Sequence, residues 1–94
     1  MDKEELKKRP KDFAHRCVKL CNSLPKNSLG RLVKGPLLRS STSVASNYRA
    51  NCVAQSKKSF IAKISIVIEE ADESLFWLEF IIDEVLLNKK KLFL

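Results

Sequence analysis

Arg39, Ser43 and Asn47 stand at steps of four, so on a helix they share one face and offer a guanidinium, a hydroxyl and a carboxamide in a row. Such a trio suits two tasks: gripping a phosphate through charge-assisted hydrogen bonds, or capping the end of a neighbouring helix. The spacing leaves both open. Cys17 and Cys21 also share a helical face, but His15 points elsewhere and no fourth metal ligand suggests itself. Cys17, Cys21 and Cys52 are therefore expected in the core as small apolar side chains. Glu69 with Glu70, and Asp72 with Glu73, are adjacent pairs, and neighbours on a helix diverge by about 100°, so they read as a solvated or salt-bridged face rather than a Mg²⁺ site. Phe76, Trp77 and Phe80 lie on an acidic helix, where a core or subunit-interface role fits better than a platform for stacking bases. With one His, no Gly-rich phosphate loop, no zinc-spaced cysteines and no nucleophile elbow, the familiar catalytic constellations are missing, and a non-enzymatic protein without cofactor or metal is expected. A metal-dependent nuclease would need Glu69, Asp72 and Glu73 to converge with a further acid.

Charge is the stronger signal. The 94 residues carry a formal net charge of +7. Between Phe13 and Ile68 stand ten Lys or Arg and no acid, whereas Glu69 to Glu84 holds seven acids and no base. A surface that was merely solvated would mix signs. Segregation on this scale means either a basic face for polyanions or complementary faces that pair between subunits. The first reading places nucleic-acid phosphates on Arg31, Lys34, Arg39, Arg49, Lys57 and Lys58. In the second, the chain is an assembly protein with no free polyanion site.

The elements that must position these side chains are helical. Forty-five per cent apolar residues with two Gly and three Pro describe one globular, all-α domain, short enough that association is expected. Residues 1–9 are expected to fray, with Pro10 opening a first helix over 10–24 whose stripe is Phe13, Cys17, Leu20, Cys21 and Leu24. Asn27 or Ser28 can cap a second helix over 29–53, either kinked or broken at Gly35-Pro36. The run Leu37 to Ala50 has Leu37, Val44 and Tyr48 on one side and small polar residues elsewhere, which favours close approach of neighbouring backbones. Ser56 caps a third helix over 57–87, where Phe60, Ile64, Val67, Ala71, Leu75, Leu78, Ile82 and Val85 form a coiled-coil-like seam. Asn88 to Lys91 should stop it, leaving Leu92-Phe93-Leu94 as the first turn of an unfinished fourth helix. The opening Met-Asp-Lys-Glu-Glu lacks an apolar run, and Glu79, Asp83 and Glu84 interrupt the longest one, so a cytoplasmic protein with no membrane span is expected.

The run Leu37-Leu38-Arg39-Ser40-Ser41-Thr42-Ser43-Val44-Ala45-Ser46-Asn47-Tyr48-Arg49-Ala50, then Ser59 to Lys63 and Glu70 to Glu79, closely resembles the bacterial four-helix-bundle family whose first members were encoded by intervening sequences in 23S ribosomal RNA genes. Asp12-Phe13-Ala14 and Lys19 to Pro25 agree with it as well. The resemblance implies an up-down antiparallel helical bundle, often assembled as a homo-oligomeric pentamer, with no established catalytic activity. Related accessory proteins of diversity-generating retroelements bind nucleic acid and a reverse transcriptase, which supports a basic RNA or DNA site by analogy. Arg39, Ser43 and Asn47 match family positions without an assigned role. The family continues through a fourth helix where this chain stops at Leu94. The seam of the third helix is thus expected to be partly uncovered, or covered by another subunit.

Overall fold

The structure, a computed structural model, describes residues 3–87. Within them the chain forms three helices in up-down order, α1 (Lys3–Asn22), α2 (Ser28–Asn51) and α3 (Lys57–Asp83). The two links are five residues each, short enough to set consecutive helices antiparallel.

α1 begins about two turns before Pro10, in the stretch expected to fray. Glu4 and Glu5 sit in its first turn, where negative charge meets the positive end of the helix dipole, and Lys7 pairs with Glu4 at 3.4 Å. Pro10 lies inside the helix and forfeits only the bond to the carbonyl of Leu6, an exposed residue whose carbonyl water can serve.

α2 is continuous through Gly35-Pro36, so the broken-helix alternative does not hold. The carbonyl that loses its partner belongs to Leu32, 52% exposed. Asn27 caps the helix by accepting from the Gly30 amide at 2.9 Å. Gly30 also carries a steric duty, because a Cβ there would stand 1.9 Å from the carbonyl oxygen of Pro25.

α3 starts at the Ser56 cap, whose hydroxyl accepts from Ser59 N–H at 3.0 Å, and stops at Asp83, four residues sooner than expected. The stop is a Schellman turn: Leu86 N–H reaches Ile81 C=O and Val85 N–H reaches Ile82 C=O, both at 3.0 Å. Leu86 and Leu87 then turn back onto the core instead of extending the helix. Val85 occupies the left-handed position at φ 52°, which a β-branched residue adopts only with strain. The expected stop at Asn88 to Lys91 and the fourth-helix turn at Leu92 to Leu94 lie outside the described residues.

α2 packs on both α1 and α3. The main core gathers at one end, where Cys17, Leu20, Cys21 and Leu24 of α1 meet Val33 and Leu37 of α2 and Ile81 of α3, with Phe13, Leu38, Trp77 and Leu78 packed around them. Toward α2 and the core, α3 uses only part of the seam read from its sequence, Val67 and Leu78. The buried side chains there are Val67, Ser74 and Ile81, which repeat every seven residues, and only Val67 belongs to that seam. Phe60, Leu75 and Ile82 of the seam are about half exposed, as expected for a seam left uncovered. The small residues of α2 explain the shift. Ser40 and Ser41 are fully buried, and Ser40 Oγ lies 2.9 Å from Ser74 Oγ, so two hydroxyls replace bulk at the contact and the helices approach closely.

Two substitutions check this account by thermal unfolding. Val85→Gly should stabilise the protein by about 1 kcal/mol, since the left-handed position costs a β-branched residue roughly that much. Gly30→Ala should destabilise it by at least about 1 kcal/mol despite alanine's better helix propensity, because the clash is with backbone.

Candidate nucleic-acid interface

Arg39 leaves α2 on the side that faces α3, and its guanidinium is held by two carboxylates one turn apart. Nη1 lies 3.1 Å and 3.3 Å from the two oxygens of Glu70, and Nη2 bonds Glu73. Trp77 Nε1 donates to the other oxygen of Glu73 at 3.2 Å, and Trp77 in turn packs edge-on against Phe76 and Phe80. The hydrogen bond from Arg39 holds the Glu73 carboxyl below the usual range, with Trp77 adding to it and desolvation acting against both. The same bond to Glu73 raises Arg39 further above an already high value. A guanidinium so committed is a clamp between two helices of one chain.

Its two companions at steps of four do not join it. Asn47 donates to the Ser43 carbonyl at 2.9 Å and to Ser43 Oγ at 2.8 Å, which ties the two side chains together within α2. The row has the expected spacing, but its chemistry is divided between an interhelical ion pair and a local hydrogen bond.

The other basic candidates are dispersed. Arg31, Lys34, Arg49, Lys57 and Lys58 are all exposed. Arg31 and Arg49 are 18 positions apart on α2, about 27 Å along the axis. Of the six, Arg49 alone lines a surface groove of about 750 Å³ between α1, from Glu4 to Val18, and the second half of α2. Its floor is Ala14, Val18 and Ala45, with Thr42 and Ser46 along the α2 side. Lys7, Lys8, Lys11 and His15 supply the basic rim from α1. Among the described residues that line it, the one acid is Glu4, already paired with Lys7. Lys7 and Lys8 were missed because residues 1–9 were read as frayed, whereas Lys11 and His15 fall within the expected first helix and were not among the basic candidates. The signal that could have found them is Glu4 three residues before Lys7, an acid-then-base pair typical of a helix's first turn. Lys57 and Lys58 open α3 at the end of the bundle that also holds Arg49.

The cysteines offer no reactive site. Cys17 and Cys21 are buried, and burial raises both thiols, Cys21 to about 11 with Cys17 adding and Lys34 opposing. They stay protonated at neutral pH. Cys52, expected in the core, is only partly buried near the end of α2, past the last core turn. Among the described residues no group of three His, Cys, Asp or Glu side chains is placed to hold a metal ion, and no helix is long and apolar enough to cross a membrane.

The clamp makes a signed prediction. Glu73 has a lowered value in the folded state, so its contribution is present above the ordinary carboxylate range and is lost as pH falls through the folded value. Melting temperatures recorded from neutral pH to about pH 3 should fall with acidification, and Arg39→Gln should lower the neutral value by a few degrees and flatten that fall. An unchanged profile in the variant would remove the clamp from the account.

A family model described as 23S rRNA-intervening sequence protein matches residues 3–93. The fold is similar to the crystal structure of a protein with unknown function from the S23 ribosomal protein family of Bacteroides thetaiotaomicron, at 32% identity and a TM-score of 0.82, over 92% of this chain and 80% of that one. No curated protein matches. With nearly its whole length matched by the family model, the chain belongs to the 23S rRNA-intervening sequence protein family.

Proposed function

We propose that this protein is a non-enzymatic binder of structured RNA or DNA, and that it holds the phosphate backbone in the groove between α1 and α2. The observation that carries this reading is the groove's composition: Lys8, Lys11 and Arg49 have no ion-pair partner among the described residues, His15 and two hydroxyls stand beside them, and the single acid is spoken for. Cations arranged this way neutralise phosphates and release counterions, which gives affinity without sequence readout. The small residues Ala14 and Ala45, with Val18, leave room between the basic side chains for a sugar-phosphate strand. Arg31 and Lys34, near the opposite end of α2, would contribute only long-range attraction.

Fluorescence anisotropy with a structured RNA and a DNA duplex, titrated from low to physiological salt, tests the proposal. A log–log slope of about −0.7 to −0.9 per neutralised phosphate is expected, roughly −3 overall for three to four contacts. The triple variant Lys8→Gln, Lys11→Gln and Arg49→Gln should make the slope shallower by about 2 and weaken binding at least ~10-fold, whereas Arg31→Gln with Lys34→Gln should change the slope by less than about 1. Absence of binding at low salt, or equal losses from both variants, would remove the groove as the site.

A further inference from the structure

Two hydroxyls on the α2 side of the groove have already committed their protons. Thr42 Oγ1 donates to the Leu38 carbonyl at 2.7 Å, with the Arg39 carbonyl at 3.2 Å, and Ser46 Oγ donates to the Ser43 carbonyl at 3.3 Å. Both residues line the groove and both are exposed. A hydroxyl carries one donor and two acceptor lone pairs, so with the proton turned back to its own helix each oxygen meets the groove as an acceptor. A phosphate, whose oxygens can only accept, gains nothing from either while those bonds stand. The neighbouring lysines and Arg49 only donate, and the Glu4 carboxylate pairs with Lys7, which leaves His15 and these two hydroxyls to accept.

What the pair can take is a donor that arrives on a phosphate strand. Ribose supplies one in its 2′-hydroxyl, and deoxyribose has none. Thr42, Ser46 and Arg49 follow at steps of four and three, so they share one face of α2, with Thr42 and Ser46 one turn apart, about 6 Å along the axis. Neighbouring sugars of one strand can span that separation. Lys8 and Lys11 line the same groove from α1. A strand whose phosphates lie on Lys8, Lys11 and Arg49 therefore carries its sugars past two oxygens ready to accept. Resting on the reading of the groove as a phosphate site, we infer that its ligand is RNA rather than DNA, and that Thr42 and Ser46 make the choice by accepting hydrogen bonds from ribose 2′-hydroxyls. The cations then supply affinity and the two hydroxyls supply the discrimination. Paired bases keep their own amino donors within the duplex, so the sugar edge is the donor a structured RNA presents to such a wall.

Fluorescence anisotropy of the full chain with one hairpin in three backbones, RNA, 2′-fluoro RNA and DNA, tests the inference. The fluoro hairpin keeps the base sequence, the phosphates and the A-form stem, and removes only the donor. RNA should bind at least about 5-fold tighter than the fluoro hairpin, the worth of one or two net hydrogen bonds, and DNA should bind no tighter than the fluoro hairpin. The salt slope should be the same for both RNAs, because their phosphates are identical. Thr42→Val with Ser46→Ala should bring the ratio of RNA to fluoro-RNA affinity to near one, with helical circular dichroism recorded beside it, since both side chains are exposed. Equal affinity of the unsubstituted protein for RNA and fluoro RNA, at an undiminished salt slope, would overturn the inference and leave the groove as a phosphate site. A preference for the 2′-hydroxyl that survives in the double variant would overturn the role of Thr42 and Ser46. Absence of binding to all three hairpins at low salt would overturn the inference and the groove together.

Discussion

The distance between α2 and α3 is set by two serines. Ser40 and Ser74 are fully buried and hydrogen-bond each other at 2.9 Å, and Ser74 Oγ also lies 3.0 Å from the Glu70 carbonyl of its own helix. Larger side chains at either position would hold the helices apart. Close approach in turn lets Arg39 reach across to Glu70 and Glu73 one turn away, and it orients Trp77 so that the indole N–H meets the same carboxylate. The packed face of α3 is therefore polar at its middle and apolar at its end, where Ile81 joins the core of α1 and α2. That choice of face is what turns the larger apolar stripe outward.

The segregation of charge acquires a different meaning at each place it appears. Across the α2–α3 contact, a base and two acids far apart in sequence neutralise each other within one chain. Along α1 and the end of α2, bases face one another over a groove with one acid, a repulsive arrangement whose local cost is small at the surface but whose field attracts anions. Along the outside of α3 the acids stand beside exposed apolar groups.

Much of this was legible before any coordinates. The caps Asn27 and Ser56 follow from their chemistry at a helix start, and so does the expectation that a run of small residues in α2 marks close approach. Burial of Cys17 and Cys21 followed from their place in the apolar stripe of α1. Other features were not legible. The early start of α1 rests on acids that are weak local signals beside a proline. The early stop of α3 uses Val85 where glycine is the usual marker, so composition gave no sign of it.

Helix order, approximate extent and family resemblance are properties the sequence determined by itself, because apolar periodicity, capping residues and a specific run of side chains act locally or one residue at a time. Which face of each helix meets which neighbour was decided only by the tertiary structure. Periodicity counts apolar side chains and points to the stripe at Phe60, Leu75 and Ile82, but packing rewards shape and hydrogen bonding together, and the small contact at Ser40 and Ser74 won that side of α3. The same holds for the basic residues. Their number is written in the chain, whereas whether an arginine faces two carboxylates, as Arg39 does, or an open groove, as Arg49 does, depends on helices that are neighbours in space and distant in sequence.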